Sequence, residues 1–135
     1  MKVGDFTQAL HALAELVALD REELARSLDA RLLDAVENGM AQKFEYTVEL
    51  CWKALKEALR EREGLDAASP KKAVKAWYLT GHLTEDDYLA LLAAIDDRNR
   101  LSHVYSEHQL RDILARLPNH VAALQRTLAS LQAAD

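Results

Sequence analysis

Chemically reactive side chains crowd one short stretch of this 135-residue chain, residues 96–105. Carboxylates, guanidiniums, an amide, an imidazole and a phenol follow one another there. If the stretch is helical, Arg98 and Tyr105 share one stripe, and Asn99 and His103 share the adjacent stripe. A guanidinium and an imidazole then converge on one anion. Because imidazole titrates near neutral pH and a guanidinium holds phosphate, Arg98 and His103 suit metal-independent RNA cleavage, with the RNA 2′-hydroxyl as nucleophile.

The same residues also have a purely structural interpretation. Cations suit the negative end of a helix macrodipole, and Tyr105 is then a half-buried anchor. A neighbouring carboxylate, Asp96 or Asp97, in that case holds His103 in an ion pair. The spacing alone leaves catalysis and a capped helix end both open.

A second polar block, residues 42–53, lies within a helical pattern of apolar residues. Glu45, Glu49 and Trp52 project from a face distinct from the apolar stripe, and Lys53 follows them. An indole and an ammonium group suit stacking on, and neutralising, a nucleotide or a partner surface. The alternative is a solvated face, on which the i,i+4 pair of Glu49 and Lys53 contributes only about 0.3 kcal/mol.

Together the two blocks resemble the HEPN superfamily. The Arg-x4-His-x-Tyr spacing of Arg98, His103 and Tyr105, with Asn99 after the arginine, is similar to its signature. Residues 42–53, QKFEYTVELCWK, are similar to the Phe-Glu-(Phe/Tyr)-x-x-Glu-Leu-x-Trp-Lys stretch of one branch. That branch contains nucleotidyltransferase substrate-binding proteins and includes HepT-type toxins. The blocks stand in the expected order, and the resemblance covers nearly the whole chain.

This resemblance implies a homodimeric bundle whose partner is a separately encoded minimal nucleotidyltransferase. Because toxin-type relatives are ribonucleases, it implies catalysis by Arg98 and His103, with Asn99 orienting the site. It also implies that the partner adenylylates Tyr105 and silences the toxin, since a bulky anionic group there opposes RNA. The other function that it implies is a non-catalytic accessory or substrate-binding subunit of a nucleotidyltransferase. The residues alone leave a third possibility open, a helical dimerisation scaffold.

Helices must position these residues, because helix-forming residues dominate the composition. Half of the residues are hydrophobic, whereas the chain contains only four Gly and two Pro. Its length suits one core. We therefore predict a single all-α domain over residues 1–135, an up-down antiparallel bundle of five or six helices.

In the first half of the chain, apolar periodicity predicts a helix over residues 5–19 that Asp5 caps. Residues 22–63 contain no proline and carry a continuing apolar stripe. They form either one long helix or two helices with a break near Asn38-Gly39, where glycine lowers helix stability. The pattern does not decide between these alternatives.

In the second half, Ser69-Pro70 predicts the start of a short helix over residues 70–80. The sequence Thr84-x-x-Asp87 resembles a capping box and begins the helix that carries the reactive stretch at its end. Leucines and other apolar residues then repeat at helical spacing up to Leu131, interrupted by Pro118. A proline inside a helix should kink or split it.

Charge and cysteine content limit the function classes. With a net charge of −5, the protein binds a long nucleic acid only through a local basic patch, such as Lys71, Lys72 and Lys75, which are also typical of a solvated helix face. Cys51 is the only cysteine and lies in an apolar helical pattern, so we predict that it is buried in the core and that the protein occupies a reducing compartment. The sequence has no leader-like segment and no apolar run of about 20 residues, which predicts a cytoplasmic protein without a membrane partner. The histidines lack metal-ligand spacing, so neither a metal nor a cofactor is expected.

Overall fold

Helices account for the regular secondary structure of this protein, whose structure is a computed structural model that describes residues 1–133. Within that range there are six helices and no strand. The helices are α1 (Lys2–Val17), α2 (Arg21–Ser27), α3 (Ala30–Glu63), α4 (Pro70–Leu79), α5 (Glu85–Leu101) and α6 (Glu107–Ala133). The predicted all-α bundle of five or six helices is confirmed.

The first helix begins earlier than predicted. It starts at Lys2, so Asp5 does not cap it but lies in its first turn, where a carboxylate favours the positive end of the macrodipole. Its apolar stripe is buried as the spacing predicts, with Phe6, Leu10 and Leu13 inside the core. This stripe packs α1 against α3 and α6.

Of the two alternatives for residues 22–63, two helices are observed, but the break lies at residues 28–29 and not near Asn38-Gly39. The chain leaves α2 at Leu28, which has extended backbone geometry. The Asp29 side chain then accepts hydrogen bonds from two free backbone N–H groups in the first turn of α3. A strong N-cap thus decides the boundary, and Gly39 is accommodated within the 34-residue α3, next to buried Met40.

The predicted starts of α4 and α5 are confirmed by their capping contacts. Gly64 ends α3 in the left-handed conformation, at φ 66°. The Ser69 hydroxyl accepts from the third backbone N–H beyond it and begins α4. The Thr84 hydroxyl accepts from the Asp87 N–H at 3.1 Å and begins α5. The Asp87 carboxylate, instead of completing a capping box, binds Arg126 of α6 at 2.6 Å.

Of the two effects predicted for Pro118, a kink or a split of the last helix, the split does not occur. Helix α6 runs without a break from Glu107 to Ala133 and contains Pro118 on its exposed side. Leu114, Leu117 and Val121 are buried before and after the proline. Burial of these side chains along the core offsets the backbone hydrogen bond that the proline removes.

One core unites α1, α3, α4, α5 and α6. Its largest fully buried side chains include Trp77, Phe6, Phe44, Leu55 and Leu124. Cys51 is 2% exposed, as its apolar surroundings predict, and burial raises the pKa of its thiol. Across residues 1–133, every helix is too short or too polar to cross a bilayer.

Candidate functional site

The reactive stretch bends out of the helix before it ends. Helix α5 stops just ahead of residues 102–106, which we call the motif loop. The Ser102 hydroxyl donates to the Asn99 carbonyl at 2.7 Å and closes the last turn. His103 and Tyr105 therefore lie beyond the helix, so the predicted helical stripes through them are wrong.

His103 is exposed and lines a surface cavity of about 250 Å³. Two guanidiniums, from Arg100 and Arg116, line the same cavity, together with Gln109 and Asp112. Within residues 1–133, the His103 imidazole has no hydrogen bond or ion pair with another side chain. The structural interpretation, an ion pair of His103 with Asp96 or Asp97, is therefore wrong. The cavity combines a titratable ring with two cations, a composition suited to an anion.

The Arg98 side chain points toward Glu49 and not into the His103 cavity. Its Nη2 donates to Oε2 of Glu49 at 3.3 Å, and it does not line the His103 cavity. The same carboxylate accepts from Trp52 Nε1 at 3.0 Å and pairs with Lys53 Nζ at 3.3 Å. These four residues, the Glu49 cluster, join the two polar blocks that the sequence analysis singled out.

The charge of Glu49 is stabilised by its neighbours. Burial raises the pKa of Glu49, but hydrogen bonds from Trp52 and Lys53 and the charges of Lys53 and Arg98 together lower it. Glu49 is thus an anion at neutral pH. This ion-pair and hydrogen-bond network is larger than the i,i+4 pair with Lys53 that the sequence suggested.

Asn99 and Glu45 flank the motif loop. Asn99 is exposed, and its Oδ1 accepts from Arg98 Nη1 at 3.5 Å. Glu45 is half-buried and lines a second cavity, of about 380 Å³, together with Val104 of the motif loop. Both polar blocks therefore reach this loop, although Glu45 is not part of the Glu49 cluster.

Tyr105 is the most exposed aromatic side chain among the described residues, at 85%. The half-buried anchor considered for it is therefore wrong. Its backbone N–H donates to Oε1 of Gln109 at 2.8 Å, which holds the loop against the start of α6. The phenol itself is presented to solvent.

Sequence reasoning missed the most tightly connected polar group, Asp97, which is 1% exposed. Arg116 of α6 donates to both of its oxygens, from Nε at 2.7 Å and from Nη2 at 2.9 Å. His120 Nε2 lies 2.7 Å from Oδ2, and Arg100 Nη1 donates to Oδ1 at 2.7 Å. These four residues form the Asp97 cluster, which fixes the end of α5 to α6 directly before the motif loop.

Burial raises the pKa of Asp97, but the hydrogen bonds from Arg116, His120 and Arg100 outweigh it and hold that pKa well below its usual range. The sequence did contain a signal for this cluster. Asp97 stands three residues after buried Ala94, on the apolar stripe of α5. A carboxylate at a core position requires buried partners.

No group of three or more potential metal ligands occurs in the part of the chain that the structure describes. The scattered histidines instead have separate surroundings. His82 stacks on Trp77 at 3.8 Å between ring centroids, and His120 stacks on Phe44 at 5.4 Å.

The chain is an all-helical bundle with the motif loop between its last two helices. Residues 1–133 match one family model, described as nucleotidyltransferase substrate binding protein like. The chain belongs to this family. The resemblance to nucleotidyltransferase substrate-binding proteins is thereby confirmed, whereas the HEPN and HepT assignment stays a prediction.

Solved structures support the fold. A protein from Thermus thermophilus is 33% identical, with a TM-score of 0.80, over 94% of this chain and 98% of that chain. A protein from Haemophilus influenzae is 21% identical, with a TM-score of 0.81, over 96% of this chain and 98% of that chain. Its structure was described as revealing the fold of a substrate-binding domain of a nucleotidyltransferase. Among curated proteins, the sequence has no significant match.

Proposed function

We propose that this protein is an accessory, substrate-binding partner of a separately encoded nucleotidyltransferase and presents its motif loop to that enzyme. Family membership supports the partner class. The observation that carries the proposal is the 85% exposure of Tyr105 on a loop held at both ends by hydrogen bonds. A nucleophile for an external enzyme must be accessible and positioned; the Tyr105 phenol is accessible, and its backbone is positioned by Gln109.

The chemistry offered by Tyr105 is nucleotidyl transfer to its phenolic oxygen. The phenol loses its proton, its oxygen forms a bond to the α-phosphorus of a nucleoside triphosphate, and the bond to the leaving pyrophosphate breaks. The nucleotidyltransferase supplies the triphosphate site and the base. This protein supplies the acceptor and holds its backbone in place, which lowers the entropic cost of docking.

Mass spectrometry tests this step after incubation of the protein with each nucleotidyltransferase of the source genome and ATP. We expect the wild type to gain one nucleotidyl group and Tyr105→Phe to gain none. Tyr46→Phe is the matched control, since Tyr46 is also exposed, at 59%, but lies on α3. Modification that persists in Tyr105→Phe contradicts the assignment of the acceptor. Failure to form any complex with a nucleotidyltransferase in size-exclusion chromatography contradicts the accessory role itself.

The homodimer implied by the resemblance belongs to the same proposal. Light scattering coupled to size-exclusion chromatography measures it directly, and a mass twice the 15.2 kDa of the chain is expected.

A second candidate function is the metal-independent ribonuclease of a HEPN/HepT-type toxin-antitoxin pair. The observation that favours it is the exposed His103 imidazole, because this group suits proton transfer at a reacting phosphate. Arg100 and Arg116 line the same cavity, but both guanidiniums already bind Asp97. Arg98, the predicted catalytic arginine, is bound to Glu49 instead. On this hypothesis, adenylylation of Tyr105 places an anion beside the cavity and opposes RNA.

Incubation with total RNA in the presence of a chelator tests the ribonuclease hypothesis. Cleavage by the wild type is expected to fall by at least about 100-fold in His103→Ala, the scale of a lost general acid or base. His108→Ala serves as the control, because the His108 side chain is 87% exposed but lies on α6. Intact RNA with the wild type, or equal cleavage by both variants, rules this function out.

A further inference from the structure

A separate concave surface lies on the side of α3 beyond the Glu49 cluster. The cationic and aromatic side chains that line it come from one helical stripe of α3 and from the start of α1, and they are Lys2, Trp52, Lys53, Lys56 and Arg60. We call it the cationic groove. On α3 these residues stand at positions i, i+1, i+4 and i+8, which fall within about 100° of one another around the helix axis. The groove has a volume of about 450 Å³, within the range of small-molecule sites.

The groove is positively charged, whereas the whole molecule has a net charge of −5. Lys53 is paired with Glu49 at 3.3 Å. Across residues 1–133, Lys2, Lys56 and Arg60 have no ion pair. The carboxylates of Glu57 and Glu61 also line the groove, so four cations face two anions there.

Neighbouring cations on α3 repel each other, since Lys56 stands three residues after Lys53 and four residues before Arg60. Glu57, four residues after Lys53 and three before Arg60, offsets part of this repulsion. An anion with several negative oxygens, bound along the stripe, relieves that repulsion and forms charge-assisted hydrogen bonds with each cation.

Trp52 adds an aromatic surface to the cations. Its indole N–H donates to Glu49 at 3.0 Å, which fixes the orientation of the ring. Lys56 Nζ lies 5.9 Å from the ring centroid, so the ring face borders the cationic stripe. An oriented indole beside phosphate-binding cations suits a molecule that carries both a flat aromatic base and phosphates.

We infer that the cationic groove binds a nucleoside polyphosphate, with the phosphates on Lys2, Lys56 and Arg60 and the base against Trp52. The inference deepens the proposed function, on which its biological meaning rests, because it gives the class of substrate that a substrate-binding protein of a nucleotidyltransferase holds. Binding itself requires no nucleotidyltransferase. The groove is lined by none of the residues of the His103 cavity.

Titration of the isolated protein with magnesium ATP tests the inference, followed by calorimetry and by tryptophan fluorescence. Trp77 is fully buried, so quenching by a bound base reports on Trp52. The double variant Lys56→Gln/Arg60→Gln is expected to weaken ATP binding by at least about tenfold. The control, Lys72→Gln/Lys75→Gln, removes the same charge from exposed positions of α4 and should bind ATP as the wild type does.

Inorganic tripolyphosphate separates the contributions of base and phosphates. Its binding should be weakened by Lys56→Gln/Arg60→Gln but not by Trp52→Leu, whereas ATP binding should be weakened by both changes. Circular dichroism of each variant establishes that it is folded.

Three results overturn the inference. They are absence of ATP binding by the wild type at millimolar concentration, equal weakening in the two double variants, and binding of a single-stranded RNA oligonucleotide without binding of ATP. Because the assay contains no nucleotidyltransferase, its result is independent of complex formation. ATP binding without formation of a complex supports the nucleotide-binding groove and rejects only the accessory role. Formation of a complex without ATP binding rejects only the nucleotide-binding groove.

Discussion

Asp97 shows how one buried side chain organises the residues around it. It lies directly before Arg98 in sequence, yet its carboxylate points into the bundle and Arg98 points toward Glu49. Three donors from two helices satisfy its two oxygens. Because burying an anion without partners is costly, these contacts specify how α5 and α6 pack against each other.

Replacing Asp97 with Asn should lower the free energy of unfolding by about 3 kcal/mol at neutral pH, since an amide cannot pair with Arg116, Arg100 and His120 at once. Urea unfolding monitored by circular dichroism measures this loss. Asp96→Asn is the neighbouring control. Asp96 forms a surface pair with Lys71 at 2.7 Å, so its loss should cost less than about 1 kcal/mol. Equal losses in the two variants contradict the role assigned to Asp97.

The contribution of Asp97 also has a defined pH dependence. Its pKa in the folded protein is lowered, so the stabilisation is complete above the ordinary carboxyl pKa of about 4 and is lost as the pH falls below that value. The stability difference between wild type and Asp97→Asn should therefore shrink as the pH is lowered from about 5 to about 3. A constant difference across this range excludes the ionised carboxylate as its origin.

At the residue scale, sequence reasoning selected side chains better than it predicted their contacts. It singled out Arg98 and Glu49 as members of separate blocks, and the structure joins them at 3.3 Å. Their meeting depends on the packing of α5 against α3, which the periodicity of one helix cannot specify. Asp97 was considered only as a partner for His103, although its spacing placed it on the apolar stripe.

At the element scale, caps decided the helix boundaries more than helix-breaking residues did. Ser69 and Thr84 begin helices where the sequence predicts them. Gly39 and Pro118, which predicted breaks, both lie inside helices. Intrinsic propensities of about 1 to 3 kcal/mol are smaller than the summed burial of the flanking apolar side chains, so tertiary packing prevails.

Substitution by alanine should change the free energy of unfolding in opposite directions at Gly39, inside α3, and at Gly64, directly after α3. Gly39 lies in the helix interior, and a Cβ there meets no atom within 4 Å, so Gly39→Ala should raise the free energy of unfolding by about 1 kcal/mol. Gly64 has equally open surroundings, but its φ is +66°, so Gly64→Ala should lower the free energy of unfolding by about 1 kcal/mol. Urea unfolding of both variants measures the two changes. A change of the same sign in both contradicts the backbone explanation.

At the scale of the whole molecule, composition and apolar periodicity were sufficient to predict the all-α bundle. The apolar stripes of α1, of α3 from Phe44 onward and of α6 predicted which faces are buried, and those faces meet in one core. The earlier part of the predicted stripe is not buried, since Leu32 is 54% exposed. Which helices are neighbours, and therefore which loop meets which helix face, was not readable from any single segment. Sequence reasoning singled out Trp52 and Lys53 for nucleotide binding, but it missed the other cations of the groove, because Lys2 joins them only when α1 packs beside α3.

The single carboxylate of Glu49 contacts residues of two separate surfaces of the molecule. Trp52 and Lys53 tie it to the cationic groove, and Arg98 ties it to the helix that leads into the motif loop. A ligand that draws Lys53 away removes one cation from Glu49 and strengthens the attraction that remains for Arg98. If such a ligand changes how strongly Arg98 binds a partner of the motif loop, thermodynamic linkage requires that this partner change the affinity of the groove by the same factor. On this proposal, Glu49 couples the two surfaces without any change in the fold.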